Sequence, residues 1–420
     1  MDSSNYSLSL LLILGLTLSL TATASLVSPS RTQSAFAQPS SNTTNSNSTF
    51  LSYDSKPPYS HRSAAAEWEP HAKQTSYSQE WWYMTSLLND AKGNLYSLLF
   101  AGFKFDGEKT SVLLYNPQLV SMLRPNQVTT QCILGFSAYD SNHRMYTSNA
   151  INDNRSDIWD AKNNAIKYNC KGITGYWSYD GTDMKFVVRS QNLTADLDMK
   201  DTHPVMWTKD STYNTQGVLQ QGGPGNLSFY YSLPRQDVKG NLSYLDKEGH
   251  NKTVEVTGLG WTDRQWGDFN PGAWEWASFR FDNGARVNLY SFGNSLAGGE
   301  AYLVGTYQKA DGSLQYFNNF TVKQDGYAKN PDNNVWVAFG WSYDFPIDIE
   351  GSKHYSVVPF SNQFTNMPPV EWVSTGTGWL FIEQGGKLIN DDTGDTVGSV
   401  FTESMPIQEL KNGPYEVNQH

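Results

Sequence analysis

The chain has 420 residues, a net charge of −11 and 14% aromatic residues. An acidic chain repels phosphates, which argues against nucleic acid and anionic membranes as partners. Its length is too great for one ordinary core and suits two domains.

Residues 1–37 read as a secretory signal. Leu8 to Leu20 is a short Leu-rich apolar run, and Ala35-Phe36-Ala37 before Gln38 is an A-x-A cleavage pattern. Asp2 stands where a basic residue is usual, and the run is too short to span a bilayer. Residues 38–62 are rich in Ser, Thr, Asn and Pro with little to bury, so a disordered tether is expected, able to hold the mature chain near a surface. No later stretch has the length of a membrane helix. The expected location is secreted or extracytoplasmic, with no integral membrane segment in the mature chain. The ordered remainder divides into domains at 63–255 and 256–420, with the polar segment Asp246-Lys247-Glu248-Gly249-His250-Asn251-Lys252 taken as the link.

Cys132 and Cys170 are the two cysteines. In an exported chain they are expected to pair, two buried free thiols being the alternative. Asn42, Asn47, Asn154, Asn192, Asn226, Asn241, Asn251 and Asn319 begin glycosylation sequons, which a composition rich in Asn and Ser also produces by chance.

The ordered part reads as strands. Leu193, Ala195, Leu197 and Met199 alternate with Thr194, Asp196, Asp198 and Lys200, the period of a half-buried strand. Turn signals recur at Asp90-Ala91-Lys92-Gly93, Asp180-Gly181, Asp282-Asn283-Gly284 and Asp311-Gly312. No long stretch repeats at helical spacing, so the fold class is all-β, as barrels or sandwiches. A faint repeat, Trp82 to Leu95-Tyr96 and Trp274 to Leu289-Tyr290, suggests a duplicated meander, or a hairpin signal shared by chance.

The seven His residues are scattered without ligand spacing, so no metal site is expected. There is no G-x-S-x-G elbow and no phosphate-binding loop, and no cofactor is expected. What remains is carboxylates among aromatics, in Glu80-Trp81-Trp82-Tyr83 and in Gly260-Trp261-Thr262-Asp263-Arg264-Gln265-Trp266-Gly267. A carboxyl group in a dry aromatic setting stays protonated to higher pH and can act as a general acid toward a double bond. Aromatic faces then stabilise the resulting cation. Glu80 and Asp263 are the candidates, with Asp268, Glu275 and Glu371 behind them. The competing readings are structural: Glu80 paired with Arg264, and Asp263 paired with Arg264.

These two segments, with Tyr230-Tyr231-Ser232 between them, resemble the AttH/CrtC-like family of carotenoid 1,2-hydratase, kievitone hydratase and decalin-forming Diels–Alderases. Where many relatives carry His and Glu after the motif's Asp, this chain has Arg264 and Gln265. Arg does not deprotonate, which weakens a proton relay through that position. The resemblance implies two lipocalin-like β-barrels in tandem, a site at their junction, and an apolar unsaturated ligand of terpenoid or polyketide type. It implies cofactor-independent, acid-assisted hydration, isomerisation or cyclisation. Asp263 would be the acid and Glu80 would orient it or a water. Trp81, Trp82, Tyr83, Trp261, Trp266, Trp274 and Glu371 would bind substrate. The alternative is a non-catalytic extracellular carrier of lipids, pigments or terpenoids.

Overall fold

The computed structural model describes residues 63–71, 77–106, 128–153, 158–210, 215–220, 227–268, 274–292, 302–329, 336–360, 371–374 and 380–404. For 146–153, 220, 292, 326–329, 336–339, 371–374 and 380–382 it describes the backbone alone. The expected signal segment and tether, 1–62, lie outside the described residues. Every regular element among the described residues is a strand, and no helix there is long and apolar enough to cross a membrane.

The first sheet is built from β1 (Gln79–Asn89), β2 (Leu95–Asp106), β3 (Val128–Ala138), β4 (His143–Asp153), β5 (Trp159–Asp160), β6 (Ala165–Cys170), β7 (Ile173–Tyr179), β8 (Asp183–Arg189), β9 (Leu193–Asp201), β10 (Met206–Trp207), β11 (Val218–Gln220), β12 (Leu227–Leu245) and β13 (Asn251–Asp268). Its order is β4-β3-β2-β1-β13-β12-β9-β8-β7-β6-β5, with β10 and β11 also on β12. The second sheet holds β14 (Trp274–Phe281), β15 (Arg286–Phe292), β16 (Tyr302–Gln308), β17 (Leu314–Phe317), β18 (Thr321–Lys329), β19 (Trp336–Ile349), β20 (Ser352–Pro359), β21 (Glu371–Ser374), β22 (Leu380–Asn390) and β23 (Thr396–Ser404). Its order is β17-β16-β15-β14-β23-β22-β20-β19-β18, with β21 on β22.

In each sheet the first strand pairs with the last, β1 with β13 and β14 with β23, and a four-strand meander leads away from that seam. The two curled antiparallel sheets match two tandem lipocalin-like barrels. The duplication lies in strand order rather than residue spacing. Leu95 and Tyr96 pair with Asn89 and Leu88 next to their turn, whereas Leu289 and Tyr290 pair with Ala277 and Trp276 in mid-strand.

The expected division at 255/256 falls inside β13, which belongs whole to the first sheet. The polar segment read as a link is the turn of the β12–β13 hairpin, where the Asp246 carboxylate accepts the backbone N–H groups of Glu248 and His250. The chain passes to the second sheet between Asp268 and Trp274.

β3 and β6 lie near opposite ends of the first sheet, yet Cys132 and Cys170 are bonded, with Cα atoms 5.8 Å apart. Beside the bridge the Tyr168 hydroxyl donates to the Gly102 carbonyl at 3.1 Å, and the ring covers that glycine so closely that a Cβ would lie 2.1 Å from it. These contacts fasten one end of the sheet to the other and hold its curl. Removing both sulfurs, as Cys132→Ala/Cys170→Ala, frees a loop of 38-residue separation. By loop-closure entropy the loss is expected to be about 4 kcal/mol. Urea unfolding measures it, and an unchanged midpoint would mean that packing alone closes the barrel.

Alternation along these strands sorts apolar side chains into three cores. One fills the first barrel around Trp82, Phe100, Trp177 and Phe186, and takes in Trp68 from the segment before β1. Another fills the second barrel around Phe279, Phe281, Phe345 and Tyr355. The third lies between the sheets and contains Tyr83, Leu99, Tyr230, Trp261, Trp276 and Phe401.

Candidate functional site at the junction of the sheets

Successive side chains on a strand point to opposite faces, and this decides where each candidate residue goes. On β13, Trp261, Asp263 and Gln265 share one face, and Arg264 and Trp266 share the other. The antiparallel register of β1 with β13 sets Tyr83 opposite Asp263, Trp82 opposite Arg264 and Glu80 opposite Trp266. Glu80, Trp82, Arg264 and Trp266 therefore face the interior of the first barrel. Trp81, Tyr83, Trp261 and Asp263 face the second sheet.

Inside the barrel, Glu80 is fully buried. Its carboxylate accepts from Arg264 Nη2 at 2.6 Å, Lys104 Nζ at 2.5 Å and the His71 backbone N–H at 3.1 Å, and lies 2.9 Å from His71 Nδ1. Burial alone would raise its pKa, but Lys104, His71 and Arg264 together hold it well below the ordinary 4.5. Arg264 stacks its guanidinium 3.9 Å from the Trp82 ring and 4.7 Å from Trp266, and donates to the Glu67 and Glu69 carbonyls. Every oxygen of Glu80 is occupied by a cation or a donor. The expected partnership of Glu80 with Asp263 does not form, because the sheet lies between them. Nor does an Asp263–Arg264 ion pair, for the same reason. The structural reading of Glu80, paired with Arg264, is the one that holds.

At the junction, Asp263 is buried and, among the described residues, makes no ion pair. Trp261 Nε1 donates to one oxygen at 2.7 Å, and the Tyr230 hydroxyl donates to the other at 2.8 Å. That hydroxyl accepts from Trp276 Nε1 at 3.0 Å and Asn288 Nδ2 at 2.8 Å. Burial pushes the Asp263 pKa from 3.8 up to about 7; hydrogen bonds from Ser232, Tyr230 and Trp261 oppose the rise, and Glu403 adds to it. Arg280, a buried cation of the same layer, gives its Nη2 to Thr85 Oγ1 at 2.6 Å.

A second acidic centre adjoins the first. Glu383 and Glu403 sit opposite one another on β22 and β23. The Tyr83 hydroxyl donates to Glu383 at 2.8 Å and Trp274 Nε1 donates to Glu403. Burial raises Glu403 to about 7, against hydrogen bonds from Glu383, Trp274 and Tyr83. The Trp276 ring is edge-on to both Tyr83 and Trp261, joining the centres through aromatic contact.

Of the predicted site residues, the junction gathers Asp263, Trp261, Tyr83 and Trp274, and Trp81 lies at its margin against Phe103. Glu80, Trp82 and Trp266 belong to the barrel interior. Glu371 pairs through its backbone with Glu383, and its side chain lies outside the described residues. Sequence reasoning missed Tyr230, Trp276, Asn288, Glu383 and Glu403 as site residues. Parity offered a signal for one, since Trp276 shares the face of Trp274.

The two kinds of acid give stability opposite pH dependence. Asp263 and Glu403 have folded pKa values of about 7, above their ordinary 3.8 and 4.5. Between those limits the folded chain binds more protons than the unfolded one, so stability falls as pH rises through the window. Glu80 is held low, so its contribution is present above 4.5 and lost as pH falls through the folded value. Thermal melting is expected to peak near the ordinary carboxylate range and to decline on both sides. Asp263→Asn should flatten the alkaline decline alone, and an unaltered decline would contradict the assignment.

Known structures place this architecture. An AttH protein of Nitrosomonas europaea superposes with a TM-score of 0.60 at 15% identity, over 78% of this chain and 92% of that one. Kievitone hydratase of Nectria haematococca superposes at 0.52 and 13% identity, over 82% and 92%. CghA, solved with Sch210972, gives 0.48 and 11%, over 79% and 89%. No curated protein sequence matches the chain at a significant level. At these identities the likeness is one of fold. The family match is one of sequence; it spans residues 64–363, the whole first sheet and β14 to β20 of the second, and by it the chain belongs to the AttH-like family.

Proposed function

We propose that the protein converts an apolar, unsaturated small molecule between its two barrels, with Asp263 as general acid. The observation that carries this reading is the carboxyl group of Asp263: buried among indoles and phenols, without a counter-ion among the described residues, its pKa pushed up by burial to about 7. In a hydration, the Asp263 O–H bond breaks as a C–H bond forms at one alkene carbon. The cation at the other carbon is stabilised by the faces of Trp261 and Trp276. Water adds its oxygen there, and the proton it sheds returns to the carboxylate. In isomerisation a carbon next to the cation loses its proton to the Asp263 carboxylate instead; in cyclisation a second double bond adds to the cation, and the new cation so formed loses a neighbouring proton to the same carboxylate. These steps consume no cofactor.

Export is part of the proposal. It rests on the Leu8 to Leu20 run with its Ala35-Phe36-Ala37 site, and on the disulfide, which persists in oxidising compartments. Among the sequons, Asn192, Asn241, Asn251 and Asn319 are exposed and so accessible to glycosylation. A non-catalytic carrier is the second reading, favoured by the neutralisation of Glu80, which leaves one of the two expected acids unavailable.

The test is incubation of the full chain with a mixed terpenoid and polyketide extract in ¹⁸O-labelled water, followed by mass spectrometry. The expected result is a product carrying label, or an isomer of a consumed component, formed by wild type and not by Asp263→Asn. Compounds retained unchanged by both forms would establish the carrier.

A further inference from the structure

Three polar side chains face Asp263 and Tyr230 from the second sheet. Ser278 on β14 is directly opposite Asn288 on β15, which is directly opposite Thr306 on β16. Residues so paired have Cβ atoms about 5 Å apart and point to the same face. They form one row across three strands, and all three are buried, at 0%, 1% and 0% exposure.

The row is incompletely satisfied. Asn288 spends both amide hydrogens, on the Tyr230 hydroxyl at 2.8 Å and on Ser232 Oγ at 3.1 Å. The Tyr230 hydroxyl donates to Asp263, so it must accept from Asn288, and this fixes which end of the amide carries the oxygen. That oxygen, together with Ser278 Oγ and Thr306 Oγ1, has no hydrogen-bond partner among the described residues. Leaving a buried polar atom unpaired forfeits the hydrogen bonds it made to water, and three in one row call for an occupant.

We propose that the Ser278–Asn288–Thr306 row is the subsite that holds a hydroxyl group of the ligand, beside the Asp263 acid. This rests on the reading of the junction as the place where the ligand is bound. The chemistry of the row selects among oxygen functions. Two side-chain hydroxyls can donate, and one amide oxygen can only accept. An alcohol both accepts and donates, so it can satisfy the amide oxygen and at least one hydroxyl. A carbonyl accepts from the hydroxyls but leaves the amide oxygen bare, and a hydrocarbon leaves all three. The expected order of affinity for one carbon skeleton is alcohol, then aldehyde, then hydrocarbon. In a hydration the same row would receive the new hydroxyl of the product.

The test uses farnesol, farnesal and β-farnesene as probes, titrated against the full chain and followed by tryptophan fluorescence. Wild type is expected to bind farnesol at least about tenfold more tightly than β-farnesene, the worth of one buried hydrogen bond. Thr306→Val and Ser278→Ala keep the shape and remove an unpaired oxygen. Each is expected to shrink that preference severalfold while leaving the melting temperature unchanged or higher. Equal binding of the probes by wild type, or binding of none, overturns the subsite. So does a lower melting temperature in Thr306→Val with the preference intact, which would mean the hydroxyls serve the fold or an internal water. Asp263→Asn keeps the order of preference, because it alters the proton donor and not the row. Loss of turnover there with no hydroxyl preference anywhere would sink the subsite and spare the acid. The converse would spare the subsite and sink the acid.

Discussion

Replacing Asp263 by Asn is expected to lower turnover about a hundredfold or more while the protein still folds and binds its ligand. The amide keeps the size of the side chain and can still accept from the Trp261 indole, but it has no proton to give. At pH below the ordinary 3.8, where the carboxyl group is protonated folded or unfolded, stability should change by no more than about one hydrogen bond, because only the contact with the Tyr230 hydroxyl must be rearranged. The pH dependence sharpens the test. General acid catalysis needs the protonated form, so wild-type turnover should fall as pH rises through about 7, where burial has placed the group. A variant that turns over at the wild-type rate would remove Asp263 from the chemistry and leave the Glu383–Glu403 pair to be tested.

The second large effect is expected on the other face of the same strand, and it concerns folding alone. Glu80→Gln removes the charge that neutralises Lys104 and Arg264, both buried in the first barrel. Taking one member from a buried pair leaves an uncompensated charge in a dry interior, at a loss of about 3–5 kcal/mol. Urea denaturation should show the midpoint falling by that loss divided by the slope of the unfolding free energy against urea. Any surviving folded fraction should retain its activity, because Glu80 faces away from the junction. Full stability in Glu80→Gln would mean that water reaches the cluster and screens it.

These two results separate residues that the sequence placed together. Glu80 and Asp263 share a motif style, an acid among tryptophans, and nothing in composition tells them apart. Strand parity does. Trp261 and Trp266 are an odd number of residues apart, so on one strand they cannot line the same wall, and neither can Trp81 and Trp82. The all-β class was legible because the alternation around Leu197 and the Gly turns act locally. The seam of each barrel was not, since β1 meets β13 across nearly the whole first sheet of chain. The partners of the acids come from equally far away. Lys104 and His71 reach Glu80 from separate segments, and Glu383 and Glu403 reach the junction from the last hairpin. Tyr230 was visible in its motif, but its bond to Asp263 exists only through the register of β12 with β13. Asn288 precedes Leu289-Tyr290, which marked the strand, but nothing marked the amide itself.

β13 is one backbone thick, and different demands act on its two sides. Selection for a well-folded barrel acts at Thr262, Arg264 and Trp266, while selection for what happens between barrels acts at Trp261, Asp263 and Gln265. Interleaved in this way, the chemistry can drift by substitution without disturbing the barrel. It cannot drift by changes in length. A single codon gained or lost just ahead of Trp261 would exchange the two sets, turning Arg264 toward the junction and Asp263 into the barrel. Descendants of this chain should therefore vary in spelling along β13 while keeping its count of residues fixed.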